Sequence, residues 1–343
     1  MHKAFLYCGV WDFKGTIRGV KTFTCDEATG RWELMGVYGD EPGQSILALT
    51  DRYLVSVCEL GTGGKVVSYE ILADGSLAQR SMCAFSSAKL SYVTASPDGR
   101  HVFVSSMGDG TIRMLRIEEN GGLFLTDEWK LTGHSVTPRQ SKAKVHSVMI
   151  SPDGKLLAAA NLGADELELF RVDEEGETLR LVDSRPVDFG REPRHMAFHP
   201  DGAYLYLLTE AGNRLYVYAV RGERLRELAA YETRAENGEQ HGAAADIAVS
   251  RDGSRIYTTN RGQNNIAVWQ VLTSGLLDLL GHCPSGGEGP RGIALSPDGR
   301  TLFSANYDGN SVTVLPVNPI TGLLEPCTQI LDVPAAGCVR FKG

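Results

Sequence analysis

Long apolar runs are missing from this sequence. The strongest, such as Leu156-Leu157-Ala158-Ala159-Ala160, fall far short of the ~18 residues a membrane-spanning helix needs. The opening residues, MHKAFLYCGVW, hold no apolar core of signal-peptide length. Basic charge is also short: 34 Lys+Arg against 42 Asp+Glu leave a net charge of −8, whereas nucleic-acid binders usually carry a basic stripe. The seven cysteines (Cys8, Cys25, Cys58, Cys83, Cys283, Cys327, Cys338) are odd in number and form no CxxC pair. Neither a zinc site nor a redox motif is suggested, and free buried thiols in a reducing cytoplasm are expected. No long stretch shows helical periodicity, and 14 prolines in 343 residues exclude Pro-rich disorder. The expectation is a cytoplasmic protein without a membrane or nucleic-acid partner.

Glycine, by contrast, is plentiful at 39 residues, which points to many tight turns. One turn motif recurs: SPDGR at 96–100, SPDGK at 151–155, HPDGA at 199–203, SRDGS at 250–254 and SPDGR at 296–300. Its aspartates, Asp98, Asp153, Asp201, Asp252 and Asp298, are spaced by 55, 48, 51 and 46 residues, and a degenerate copy, Thr50-Asp51-Arg52, lies one spacing upstream. Each copy separates two short apolar segments, and Asp-Gly in that setting signals a β-hairpin. A third strand follows each hairpin, and its bulky position reads Phe23, Tyr69, Leu115, Phe170, Tyr218, Trp269 and Leu315 through seven copies about 49 residues apart. A weaker fourth segment follows, as in 178–184 and 322–331. Seven units of four antiparallel strands predict an all-β, seven-bladed β-propeller spanning 1–343 as one domain. The chain begins at a second-strand sequence, AFLYCGV, and ends on an extra apolar stretch, AAGCVRF. That last stretch is expected to become the innermost strand of blade one, closing the ring and covering an edge.

Let the strands of a blade be a to d from the axis outward. The SPDG turns join a to b and share one face with the c–d turns. The b–c loops and blade crossovers share the other. On the SPDG side, turn chemistry accounts for the residues, His199 included. On the opposite side they vary and are polar. Seven residues before each turn aspartate stand Ser91, His146, Arg194, Ala245 and Arg291; eight or nine after it stand Asn161, Glu210, Asn260, Arg261, Asn306 and Tyr307, with Glu59 equivalent in the degenerate blade. One channel mouth is therefore expected to carry His146, Arg194, Arg291, Arg261, Glu59 and Glu210 as a concave polar pocket. The longest crossover, 131–146, reaches the same mouth with Arg139, Lys142 and Lys144. It is expected to be a lid or binding loop. Local cations beside three arginines in an acidic protein point to an anionic ligand.

Segments VHSVMISPDG (145–154), EPRHMAFHPDGAYLYLLTE (192–210), AADIAVSRDGSRIYTTNRGQNNIAVW (244–269) and GPRGIALSPDGRTLFSANYDGNSVTVLPV (289–317) carry a family resemblance. The whole chain resembles the propeller-type lactonases, the group of bacterial 6-phosphogluconolactonases and fungal carboxymuconate-lactonizing enzymes. In the lactonizing branch the site is a His before one strand a, an Arg before the next, a Glu ending the following strand b and an Arg one blade later. The positions that match are His146, Arg194, Glu210 and Arg261. The resemblance implies a ring-opening or ring-forming reaction on a lactone carboxylate or phosphate. The chain departs from the family pattern at Ser91-Tyr92, Ser106-Met107, Lys144 and Asn161.

Lactone hydrolysis needs an activated water, a stabilised oxyanion and a grip on the anionic tail. His146 or Glu210 suits the base, and Arg194 and Arg261 suit the oxyanion or a carboxylate. Arg291, Arg139 and Lys144, with Glu59, Asn161 and Asn306, complete the expected substrate-binding set. No metal or organic cofactor is called for by any ligand spacing. The favoured expectation is a 6-phosphogluconolactonase-like hydrolase of carbohydrate metabolism acting on a small anionic lactone, as a monomer or weak homo-oligomer. A muconate-type cycloisomerase is the alternative, and a non-enzymatic interaction propeller the second. Against the last, the Gly-His…Trp-Asp repeat is missing: Trp-Asp occurs once, at Trp11-Asp12.

Overall fold

The recurrent turn builds itself from its own side chains. In the computed structural model, Ser96 Oγ donates to Asp98 Oδ1 at 2.6 Å and accepts the His101 N–H at 2.9 Å. The Ser151, Ser250 and Ser296 copies repeat both bonds. The turn glycines, among them Gly99 and Gly154, take φ of 72° and 74°, a conformation costly for residues with a Cβ. In the HPDG copy, His199 Nδ1 lies 2.6 Å from Asp201 Oδ1. Turn chemistry thus accounts for His199, as expected.

The structure describes residues 4–12, 14–26, 29–59, 63–86, 89–238 and 242–342. Their strands form seven four-stranded antiparallel sheets arranged in a ring. In six sheets the strands follow chain order from the axis outward. In the remaining one, blade one, Ala336–Lys342 is innermost, followed by Phe5–Val10, Arg18–Asp26 and Arg31–Pro42. Leu6 pairs with Phe341 and Cys8 with Val339. The last strand therefore closes the ring, as the sequence predicts. Blade seven departs from expectation: its fourth strand is only Gln329–Asp332. Pro326 has no N–H to extend the ladder, and Leu324 makes just an isolated bridge to Val317. No helix among the described residues is long and apolar enough to cross a membrane.

The core is divided among the blade interfaces. All seven bulky third-strand positions, from Phe23 to Leu315, are buried. Phe170 packs with Phe103 and Val148 between blades three and four, and Trp269 with Tyr206 and Leu208 between five and six. At the closure, Phe303 and Val312 of blade seven meet Leu6, Trp32 and Val339 of blade one. Trp32 stands edge-on to Phe303 at 5.1 Å and to Phe341 at 5.8 Å. No blade buries enough apolar surface alone, so stability resides in these shared faces.

Deleting 335–343 would leave the Phe5–Val10 edge unpaired and strip Val339 and Phe341 from the closure cluster. The truncated protein is expected to aggregate or to lose at least about 10 °C in Tm, measured by light scattering and calorimetry. Unchanged solubility and Tm would contradict closure as a source of stability.

Candidate active site

Every inner strand breaks register at the same height. The shifts fall between Gln44 and Ile46, Leu90 and Tyr92, Val145 and Ser147, Pro193 and His195, Ala244 and Ile247, and Pro290 and Gly292. In the closing strand the break spans Ala336 and Cys338. A β-bulge inserts an unpaired residue and re-aims its side chain. The inserted positions are Ser45, Ser91, His146, Arg194, Ala245, Arg291 and Gly337. All but Ala245 line one cavity of about 360 Å³ on the face away from the SPDG turns. Gly337 leaves room there, since a Cβ on it would come within 3.0 Å of the Trp11 Cβ.

Glu59 at the end of its second strand, and Met107, Glu210 and Arg261 directly after theirs, join the same lining. Eight of the ten residues expected from the sequence therefore meet: His146, Arg194, Glu210, Arg261, Arg291, Glu59, Lys144 and Arg139. Asn161 and Asn306 do not, and this corrects the expectation. Each is the final residue of its strand, one position out of phase with Glu210 and Arg261, so its side chain turns to the other face of the sheet. Asn161 Nδ2 donates to Glu168 Oε1 at 3.1 Å, and its Oδ1 accepts the Lys144 N–H at 3.1 Å. Asn306 Nδ2 donates to Thr313 Oγ1 at 3.1 Å. The Asn161 amide ties the crossover to its blade through Lys144 and Thr132, and the Asn306 amide joins two strands of its own blade through Ser304 and Thr313.

Glu210 is the hub of the site. Its Oε2 lies 3.3 Å from Arg194 Nε and 3.2 Å from an Arg139 terminal nitrogen, and its Oε1 lies 3.0 Å from Arg261. Burial by itself would raise the Glu210 carboxyl, but Arg194 and Arg261 outweigh it and hold the group well below its ordinary value. Arg194 is 1% exposed and donates to the Ala245 carbonyl. Burial, only partly offset by Glu210, pushes its guanidinium down to about 10. Arg261 is braced by the Ala243 and Ala244 carbonyls, each at 3.2 Å. Arg291 stacks on the Trp11 ring at 3.4 Å, a favourable cation–π geometry. Trp11 in turn donates from Nε1 to Glu59 Oε2 at 2.6 Å. Burial raises the Glu59 carboxyl.

The 131–146 crossover is anchored rather than loose. Buried Gln140 donates to the Leu162 carbonyl at 2.9 Å, and Ser135 Oγ donates to Asp165 Oδ2 at 2.6 Å. The short 3-10 turn Pro138–Gln140 thereby presents Arg139 to Glu192 at 2.6 Å as well as to Glu210. Lys144 donates to the Arg139 carbonyl. Lys142 points elsewhere, to the Gly108 carbonyl at 2.5 Å.

The sequence did not single out Trp11, Lys89 or His195, which also line the cavity. His195 follows Arg194 at the bulge and is 3% exposed. Its Nδ1 lies 2.7 Å from Asp246 Oδ1. Burial, then Arg194, push its imidazole down to about 4. The same two causes hold His146 well below 6.5. Both rings are neutral at neutral pH. With Lys89 counted, six cations (Lys89, Arg139, Lys144, Arg194, Arg261 and Arg291) share the lining with two carboxylates. Among the described residues, no group of three or more His, Cys, Asp or Glu is placed to hold a metal ion.

The family described as "Lactonase, 7-bladed beta-propeller" matches residues 6–341. The chain is 29% identical over 349 residues to the 6-phosphogluconolactonase of Formosa agariphila, covering 98% of this chain and 99% of that one. Its structure is similar to that of a periplasmic gluconolactonase of Pseudomonas aeruginosa, with a TM-score of 0.92, 28% identity and 99% of both chains covered. A protein from Lactobacillus plantarum gives a TM-score of 0.92 at 26% identity over the whole of both chains.

Replacing Glu210 by Gln would leave three arginines facing one another without their shared counter-charge. A cost of about 3–5 kcal/mol is expected, read as a lower Tm. Inorganic phosphate should restore more Tm to the variant than it adds to the parent, because binding to the folded state stabilises it. An unchanged Tm would mean that the arginines do not depend on Glu210.

Proposed function

The chain belongs to the seven-bladed β-propeller lactonase family, and we propose that it hydrolyses a sugar lactone carrying a phosphate or carboxylate, of the 6-phosphogluconolactone type. The observation that carries this reading is the charge of the cavity. Six cations against two carboxylates leave a surplus that a neutral ligand cannot offset and an anion can. Arginine forks suit either kind of oxyanion.

Arg194 and Arg261, pinned by Glu210, present N–H groups to the lactone carbonyl. They stabilise the negative charge that grows on its oxygen as water adds. Glu210 is too firmly held as a carboxylate to be the proton acceptor. His146, neutral in the same lining, takes that part. Water attacks the carbonyl carbon and gives a proton to His146 as the new C–O bond forms. The tetrahedral intermediate then breaks the ring C–O bond, and the departing ring oxygen takes the proton back. The product is an open-chain hydroxy acid, and no net charge is left on the protein. Arg139 and Lys144 at the rim, with Arg291 on its Trp11 platform, bind the distal anion.

Kinetics on paired lactones tests this. An anionic sugar lactone should be turned over much faster than its neutral counterpart. Arg194→Ala should lower kcat/KM at least about tenfold, on the order of 1.4 kcal/mol of transition-state stabilisation. Equal rates on both lactones, or unchanged kinetics in the variant, would contradict the proposal. The pH profile is a separate check. The base acts unprotonated, so activity holds above its folded-state pKa and falls as pH drops through it. With His146 held down by burial and by Arg194, the acidic limb of kcat/KM should lie well below 6.5. A limb at 6.5 or above would rule out this imidazole as the base.

A further inference from the structure

Five of the seven inner strands are entered through a residue with φ between 50° and 65°: Gly43, Lys89, Glu192, Gly289 and Ala335, each two positions before its bulge. The carbonyl of each accepts the N–H of a residue at or just past the end of the same blade's second strand, Met107 to Lys89 at 3.0 Å and Glu210 to Glu192 at 2.8 Å among them. That bond needs the backbone conformation and no side chain, and glycine supplies it at Gly43 and Gly289. A left-handed residue with a Cβ costs stability, and such residues gather at functional sites. Ala335 carries only a methyl group. Glu192 uses its side chain to hold Arg139 at 2.6 Å. Lys89 is exposed and lines the cavity, and its ammonium makes no hydrogen bond or ion pair among the described residues.

The other cations of the mouth are better compensated. Arg194 and Arg261 share Glu210, and Arg139 has Glu192 as well. Arg291 lies on the Trp11 ring, which is bonded to Glu59, and Glu59 responds to Arg291 more than to Lys89. Lys144 meets the Arg139 carbonyl and no carboxylate among the described residues. Lys89 and Lys144 occupy the same position in adjacent blades, two residues before Ser91 and His146. Burial, then Arg139, Lys142 and Lys89, push the Lys144 ammonium down. The uncompensated charge of the mouth therefore sits on one flank, over blades three and four.

We propose that Lys89 selects a phosphorylated lactone, closing with Lys144 and Arg139 around its phosphate. The inference rests on the lactonase reading for its substrate and assigns that substrate's far end to one flank. A phosphate monoester carries close to two negative charges at neutral pH on three outer oxygens. Two ammonium groups and a guanidinium match it. A carboxylate, with one charge and two oxygens, is served by a single arginine fork. Ser91, the small bulge residue below Lys89, donates from Oγ to the Val145 carbonyl at 2.7 Å and takes little of the cavity. Lys89 touches the phosphate and not the reacting atoms, so it sets specificity.

Calorimetric titration with two aldonic acids that differ only in a phosphate tests this without turnover. The parent should bind the phosphorylated acid at least about tenfold more tightly. Lys89→Gly should weaken that acid at least about tenfold and the other at most about threefold. Its Tm should hold or rise, because glycine takes this φ without strain. Lys89→Arg, which keeps the charge, should retain the preference to within about threefold. Equal effects of Lys89→Gly on both acids, no effect on either, or a loss of preference in Lys89→Arg as large as in Lys89→Gly would overturn the proposal. A Tm lowered in Lys89→Gly by more than about 5 °C would also overturn it, by showing that the fold needs this side chain. If the acids bind as expected but the parent hydrolyses no lactone, the phosphate site stands and the lactonase reading fails. If lactones are hydrolysed and Lys89→Gly spares the preference, the reverse holds.

Discussion

Glu210 shares its two oxygens among Arg194, Arg261 and Arg139, and the channel mouth depends on that sharing. Two like charges 4 Å apart near a protein surface repel by about 4 kcal/mol. Arg194 is also almost wholly buried, which already costs it solvation. Glu210, with Glu192 on Arg139 alone, holds this cluster together without neutralising it. The remainder is a pre-set positive field over a small volume, which is what an anion needs to bind tightly and in one orientation. Burial first, and the same field second, keep His146 and His195 neutral beside it. In the proposed reading, charge clustering, base availability and ligand sign thus follow from one arrangement.

Geometry delivers the groups to Glu210. Seven strands converge on an axis, and each bulges at the same height. Bulges break ladder pairing, yet here they turn five side chains, Ser45, Ser91, His146, Arg194 and Arg291, into one cavity. Gly337, Ser45 and Ser91 keep one side of the ring small, and His146, Arg194 and Arg291 fill the other. The closing strand matters to chemistry as well as to stability, because it carries Gly337 and sets Trp11 against it. Trp11 then supports Arg291 from a neighbouring blade.

The repeat was legible because it rests on local physics. Ser-Pro-Asp-Gly closes its turn through its own oxygens, and the strands beside it alternate with period two. Counting back seven residues from each turn found the bulges because hairpins of constant length place them at constant height. The same counting misplaced Asn161 and Asn306: a window of eight or nine residues spans a change of sheet face, and only its outer position reaches the channel. Trp11, Lys89 and His195 were not legible. Trp11 reaches Arg291 only through ring closure. His195 was hidden behind Arg194, since alternation assigns adjacent residues to opposite faces and a bulge suspends that rule. The 131–146 crossover was identified by length, but its rigidity depends on Gln140 and Asp165, which no local pattern marks.

A crystal structure of the protein with a phosphorylated aldonic acid, the open-chain product class, tests the central claim most directly. The carboxylate should lie between Arg194 and Arg261 with one oxygen near His146, and the phosphate should reach toward Arg139, Lys144 or Arg291. An acid bound at the SPDG face, or a mouth left empty at saturating ligand, would contradict the account.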